Sequence, residues 1–313
     1  MHRIYPQQAT SPVHPTSEQL AAHLFFTCYM GTTNSSDETS ARARAVASNI
    51  GATHCEHAID ALVAASVDWV SAVTGRRPTF ESGNLAENLA LQNIQARQRM
   101  VQAYCAAQLI LASRGRPGSL LVLGSANVDE GLRGFLTKYD CSSADINPIG
   151  GISKIDLRSF LVWAAQPCAL AFPALLDVAL AKASPELVPP AEGGVRQVSE
   201  DDMGFTFEEL GVFGRLRKLR FAGPLSMFYH TVAIWRHLLP TEVAAKVKKF
   251  FRYYAINRHK ATTLTPAYHA EAYSPDDNRF DLRQFLYCAD WPRQFAAVDA
   301  AAAEMMMMMM MQS

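Results

Sequence analysis

Short apolar runs alternate with longer amphipathic ones along the first 125 residues. The runs "LFFTCYMG" (24–31), "THCEHAI" (53–59) and "SLLVLGS" (119–125) have strand length and carry β-forming residues, so each predicts a β-strand. Between them, "SDETSARARAVASNIG" (36–51), "IDALVAASVDWVSAVTG" (59–75) and "NLAENLALQNIQARQRMVQAYCAAQLILASRG" (84–115) predict helices. The first helix offers Ser36 and Asp37 as N-caps, Glu38 and Thr39 in its first turn, and Gly51 as its stop. In the third, Ile94, Val101, Cys105 and Leu109 form one apolar stripe. Strands alternating with long helices predict an α/β fold, a doubly wound parallel sheet with helices on both faces.

Beyond "DLRSFLVWAAQ" (156–166) the strand signal fades. A Pro-, Gly- and acid-rich loop (183–204) leads into "FTFEELGVFGRLRK" (205–218) and "EVAAKVKKFFRYYAINRHK" (242–260), both of helical pattern. This C-terminal part reads as a helical appendage that folds back on the sheet domain. Residues 1–19 read as a loose polar lead-in, 20–295 as the domain proper, and 296–313, ending in seven methionines, as a low-complexity, disordered tail.

Composition narrows the function. Lys plus Arg equals Asp plus Glu at 29 each, so no global field points to nucleic acid or an anionic membrane. Hydrophobic residues make up 49% of the chain, yet no apolar stretch approaches about 18 residues, as expected of a soluble globular protein. The N-terminus has no apolar targeting core. Six scattered cysteines (28, 55, 105, 141, 168, 288) show no CxxC spacing, and read as reduced, mostly core-filling thiols of a cytoplasmic protein.

The densest chemistry lies in "GSANVDEGLRGFLTKYDCSSADINPIGGISK" (124–154), directly after the third expected strand. Doubly wound sheets bind ligands at the C-terminal ends of their strands, where "GTTNSS" (31–36) also falls. Asp129 and Glu130 suit a hard cation such as Mg²⁺. Lys138 and Lys154 suit phosphates, and Gly150 and Gly151 would let backbone approach a ligand. A solvated charged loop would carry the same residue types.

The order of the residues says more. The blocks "YMGTTNSS" (29–36), "ENLALQNIQARQRM" (87–100), "LGSANVDEGLRGFLTKYDCSSADINPIGGISK" (123–154), "EDDMGFTFEEL" (200–210) and "NRHKATTLTPAYHAEAYSPDDNRFDLR" (257–283) closely resemble the synthetase domain of NAD⁺ synthetases of the eukaryotic glutamine-dependent type. The resemblance implies an adenine-nucleotide α-hydrolase-like fold of the ATP-pyrophosphatase group. It implies ATP-dependent amidation of deamido-NAD⁺ through an adenylate, with ammonia from glutamine or free ammonia. ATP and Mg²⁺ are the implied cofactors, and a homo-oligomer the implied assembly. Residue by residue, it implies that Ser125, Lys154 and Ser184 contact ATP and that Glu130 holds Mg²⁺. Arg97, Lys138, Asp145, His259 and Lys260 are implied to contact deamido-NAD⁺.

Several neighbours read more simply. Asp140 reads as a turn cap, Cys141 as structural, Tyr104, Trp163 and Trp235 as core aromatics, and "KVKKFFR" as a solvated helix face. The sequence also departs from the family. It has no SGGxDS phosphate loop, no first strand before "LFFTCYMG" and no nitrilase-like glutaminase domain. The resulting expectation is an N-terminally truncated synthetase, a fragment of a longer enzyme. A non-catalytic nucleotide-binding paralogue and one half of a split synthetase are the alternatives.

Overall fold

The structure is a computed structural model that describes residues 14–191, 196–268, 273 and 288–312. The expected lead-in and the block 257–283 therefore lie partly outside the described residues. In chain order the elements are α1 (Ser17–Leu24), β1 (Phe26–Gly31), α2 (Asp37–Ile50), β2 (Thr53–Ala58), α3 (Asp60–Thr74), α4 (Leu85–Ser113), α5 (Val128–Arg133) and α6 (Lys154–Ala164). They continue with α7 (Ala174–Leu180), α8 (Ser199–Met203), α9 (Phe207–Lys218), α10 (Pro224–Ile234), α11 (Pro240–Asn257), a 3₁₀ turn (Arg258–Thr263) and α12 (Pro292–Gln312). Among the described residues no helix is long and apolar enough to cross a membrane.

The chain divides into two compact units. The first comprises described residues up to Ala58 together with Leu161–Ala181. Its centre is one βαβ crossover: β1 and β2 pair in parallel, with Phe26 opposite Thr53 and Gly31 opposite Ala58. Helix α2 connects them, with the predicted signals at both ends. The Ser36 hydroxyl accepts from the Thr39 amide, and Gly51 closes the helix at φ 73°. Helix α1 begins inside the expected lead-in because Thr16 and Gln19 form a reciprocal cap.

Neither strand contains a fully buried residue. A two-stranded parallel pair has too little surface to cover its own faces, so Cys28 and Cys55, opposite each other in the register, are exposed. Cys105, Cys168 and Cys288 are exposed as well, which overturns the core-filling reading; only Cys141 is half-buried.

The second unit comprises Ile59–Phe160 and the described residues from Lys182 onward. Its core is aromatic and lies in the segment expected to be an appendage. On α11, Val243, Ala244, Val247, Phe250, Phe251 and Tyr254 are buried at three- and four-residue spacing, the signature of a helix buried along one face. They meet Phe207, Leu210 and Phe213 of α9, Met227 and Phe228 of α10, and Val298, Ala301 and Ala302 of α12. The Phe213 ring stacks on Phe250 at 4.8 Å and meets Trp235 edge-on at 5.2 Å. Trp235 is thus a core aromatic as read, whereas Trp163 is half exposed. The methionine run, expected to be disordered, continues α12 as helix.

The third expected strand is the largest departure. Residues 119–125 make a single parallel bridge, Leu123 with Ile146, and Leu121 and Leu123 remain 72% and 46% exposed. Among the described residues, the α/β content is a small parallel sheet in a mostly helical chain. The stripe expected on α4 also faces outward: Val101, Cys105 and Leu109 are exposed, while Leu91, Gln95, Ala107 and Leu111 are buried.

Replacing Phe250 by Ala removes a fully buried ring from the centre of this cluster. It should lower the unfolding free energy of the second unit by about 3–5 kcal/mol. Denaturant titration of the Phe250→Ala chain would show whether the aromatic cluster carries that share.

Candidate functional site

All nine residues singled out from the sequence fall in the second unit. The site is built on α4, which presents Asn93, Arg97 and Tyr104 at helical spacing along one face. Each reaches the loops that follow α5. Thr137 Oγ1 donates to Asn93 Oδ1 at 2.6 Å, and Arg97 Nε donates to the Lys138 carbonyl at 3.0 Å. The Tyr104 hydroxyl donates to Asp145 Oδ1 at 3.3 Å. Tyr104 is therefore a loop anchor and not a core aromatic.

The stretch expected to bind deamido-NAD⁺ starts where α5 ends. Gly134 terminates α5 at φ 70°, and a Cβ there would lie 2.3 Å from the Asn257 Cβ. Only glycine satisfies both the left-handed backbone and that approach. Residues 137–140 then form a tight turn: the Asp140 amide donates to the Thr137 carbonyl, and Asp140 Oδ2 and Oδ1 accept from the Thr137 and Ser142 amides. Asp140 caps the turn, as its sequence context suggested. Tyr139 occupies the left-handed region at φ 68° and is 53% exposed, a strain of about 1–2 kcal/mol that the turn imposes. The turn sets Lys138 Nζ 5.7 Å from the Tyr139 ring centre.

From the C-terminal side, Lys260 Nζ donates to the carbonyls of Gly134 (2.9 Å) and Leu136 (2.6 Å). Burial, with Arg133 and Arg97 nearby, pushes the Lys260 ammonium down to about 8, although Asp140 opposes the shift. Burial and the positive charges of Lys138 and Lys260 also lower His259 from its usual range. Arg133 lies buried with its guanidinium 3.4 Å over the Tyr253 ring, and burial lowers it to about 10. Cations outnumber carboxylates here, a field that an anionic ligand relieves.

Asp145 is engaged within the chain: its second oxygen accepts from the Val122 amide at 2.8 Å. The segment 142–147 is zipped to 263–267. Thr265 Oγ1 accepts from the Ala144 amide at 2.6 Å, Ser143 Oγ donates to the Thr263 carbonyl, and the Asn147 amide donates to the Pro266 carbonyl. Gly150, read as an approach point for a ligand, instead makes room for its own chain, with Ala267 Cβ 2.8 Å from where a Cβ would stand.

On the expected ATP side, Asn127 caps α5 and Glu130 Oε2 accepts from the Asn127 amide at 3.2 Å, a reciprocal cap. Burial raises the Glu130 carboxyl, and the Lys154 charge partly offsets this. Asp129, read as a second cation ligand, is fully buried, and its Oδ2 accepts from the Lys154 amide at 2.9 Å. It fixes the start of α6, and Lys154 Nζ stands 5.7 Å from the Phe207 ring centre. Ser125 is exposed just before α5, and Ser184 is exposed in the segment after α7, where among the described residues it makes no hydrogen bond to the other candidates. Among the described residues no cluster of three or more His, Cys, Asp or Glu side chains could hold a metal. Glu130 fits Mg²⁺ only as a single carboxylate, with phosphate oxygens and water as the other ligands.

Sequence reading missed Arg133, Asn257 and Thr265. The signal that finds them is polar side chains next to glycine or within the matched blocks. What they touch is more than 100 residues away in several cases, as with Asn257 and the Arg133 carbonyl.

The sequence profile of the NAD synthase family matches residues 16–214, which include every site segment except the C-terminal one. The chain belongs to the NAD synthase family. It is 56% identical over 285 residues to the glutamine-dependent NAD(+) synthetase of Dictyostelium discoideum, covering 90% of this chain and 40% of that protein. It is also 56% identical over 299 residues to the human glutamine-dependent NAD(+) synthetase, covering 95% of this chain and 42% of that protein. The crystal structure of a glutamine-dependent NAD(+) synthetase from Cytophaga hutchinsonii superposes with a TM-score of 0.69 at 25% identity, over 90% of this chain and 42% of that one. The chain thus spans about two-fifths of the length of these NAD synthase relatives.

Two outcomes follow from the loop geometry. Gly134→Ala should destabilise the second unit by at least about 1–2 kcal/mol from backbone strain alone. Adding Asn257→Gly should restore the part due to collision, as read by denaturant titration. For Lys260, the native group loses its proton near 8 and the unfolded one near 10.5. Between those values the unfolded chain holds the extra proton, so this contribution makes stability rise with pH. Stability curves of wild type and Lys260→Met across that window should differ by this increment, which the methionine variant lacks.

Proposed function

We propose that this chain carries the deamido-NAD⁺ and ATP phosphate sites of a glutamine-dependent NAD⁺ synthetase. The observation that carries the reading is the cation-rich loop 133–140, held between α4 and the 258–263 turn, in a chain 56% identical to synthetases of that name. The reaction is a ligation in two steps. The nicotinate carboxylate of deamido-NAD⁺ attacks the α-phosphorus of ATP, the bond to the β-phosphate oxygen breaks, and pyrophosphate leaves. Ammonia then attacks the adenylated carbonyl, loses a proton, and expels AMP to give the amide.

Each group in the site serves one requirement of that chemistry. Lys138 and Arg97 hold the dinucleotide phosphates by charge, His259 offers them a ring N–H donor, and Asp145 fixes the loop that faces the dinucleotide. Lys154 and Ser125 meet the ATP phosphates, and Ser184 contacts ATP from the segment after α7. Mg²⁺, held by Glu130 and the phosphates, would supply charge neutralisation at the α-phosphate. A doubly wound parallel sheet, of which β1–α2–β2 is one βαβ unit, is the fold we infer. We further infer a homo-oligomer acting in the cytoplasm, with ammonia delivered from a glutaminase domain in cis or in trans.

One sequence feature favours a second reading. No SGGxDS occurs in the 313 residues, so a pyrophosphate grip of that kind must come from other sequence or be absent. The chain alone would then bind dinucleotide without turnover. Isothermal titration with deamido-NAD⁺ tests the shared premise. Binding that Lys138→Ala weakens by about tenfold or more supports the site. The absence of any binding to the folded wild-type chain overturns it. Added Mg·ATP and ammonium should yield no NAD⁺ from this chain by itself.

A further inference from the structure

We propose that Lys260 is a positioning residue whose ammonium clamps the backbone before Lys138, so that it acts on deamido-NAD⁺ through Lys138 and not by direct contact. The proposal rests on the reading of the site given above.

The backbone from 133 to 138 runs from the last residue of α5 towards the Asp140 turn; the Gly134 and Phe135 amides still close onto α5 carbonyls, whereas its own carbonyls leave the helix. Four of its carbonyls are met by side chains from elsewhere. Arg133 O accepts from Asn257 Nδ2 at 3.4 Å, Gly134 O and Leu136 O accept from Lys260 Nζ, and Lys138 O accepts from Arg97 Nε. On the α4 flank, beside Arg97, Asn93 also ties Thr137. The segment is thus gripped from α4 on one flank and from the end of α11 and the 3₁₀ turn on the other.

An ammonium has three protons. Two of those on Lys260 are committed to carbonyls, at 2.9 and 2.6 Å, so at most one remains for a ligand. Among the described residues Lys138 has no such engagement, and its charged end stands near the exposed Tyr139 ring at the tip of the turn. The division of labour follows: Lys260 fixes where the turn begins, and Lys138 presents the charge. Asn257, one turn earlier, supports the same clamp through its weaker bond and its packing against Gly134.

A double-mutant cycle on the full chain distinguishes positioning from direct contact. Deamido-NAD⁺ affinity is measured for wild type, Lys138→Ala, Lys260→Met and the double variant. Lys260→Met alone should weaken binding by about tenfold. In the Lys138→Ala background it should weaken binding by less than about twofold, because the group it positions is gone. Losses that multiply would show an independent contact by Lys260 and overturn the proposal.

Backbone amide exchange without ligand keeps the two readings separable. Exchange over residues 134–138 should quicken in Lys260→Met and, more weakly, in the isosteric Asn257→Asp, yet stay at the wild-type rate in Lys138→Ala. Unchanged exchange in Lys260→Met would sink the clamp even if deamido-NAD⁺ binds. Quickened exchange in a chain that binds no deamido-NAD⁺ would keep the clamp and reject the function.

Discussion

Buried backbone must find hydrogen-bond partners, and in this protein much of the segment 133–147 finds them in side chains and isolated bridges, without a continuous sheet or helix ladder. Asn93, Arg97 and Tyr104 meet it from α4, and Asn257, Lys260, Thr265 and the 263–267 backbone meet it from the other side. The shape of the site follows from that constraint. Gly134 and Gly150 are glycines because the chain's own Asn257 and Ala267 crowd them, and Asp140 and Asp145 are acids that gather amides. Residues that look like ligands for substrate in a linear reading are in part ligands for the backbone.

Each such hydrogen bond contributes only about 0.5–1.5 kcal/mol net. The clamp therefore depends on a rigid mount, which the aromatic cluster supplies. Helix α11 buries Phe250, Phe251 and Tyr254 among α9, α10 and α12, and its last residue is Asn257. The 3₁₀ turn that carries His259 and Lys260 follows without a break. Packing energy in the helical part is in this way converted into the position of a lysine about 120 residues earlier in the chain. The part expected to be an appendage is the foundation of the site.

Charge completes the picture. The whole chain is balanced, yet Arg97, Arg133, Lys138, His259 and Lys260 gather around one turn with Asp140 as a nearby acid. Burial lowers the proton affinity of Lys260, Arg133 and His259 together, so the site favours an anion that restores it. Phosphates of the proposed dinucleotide ligand would meet that need. Global neutrality and a locally cationic turn are compatible because screening confines each charge to its near neighbours.

What the sequence determined by itself was local or motif-bound. The start and stop of α2 were legible from Ser36 and Gly51, the helices α2, α3 and α4 from their residue pattern, and the family from blocks such as 123–154. Signals of this kind span a few residues, so no distant partner is needed to read them. Tertiary structure decided the rest. Residues 119–125 have strand composition but pair only at Leu123, because a strand exists only where a neighbour offers a full edge. The stripe Val101–Cys105–Leu109 is apolar yet exposed, since α4 turns Leu91, Gln95 and Leu111 inward. The roles of Asp145, Gly150 and Lys260 rest on contacts with Tyr104, Ala267 and Gly134, up to 126 residues away. Residue type fixes what a side chain can bond to; only the fold fixes which bond it makes.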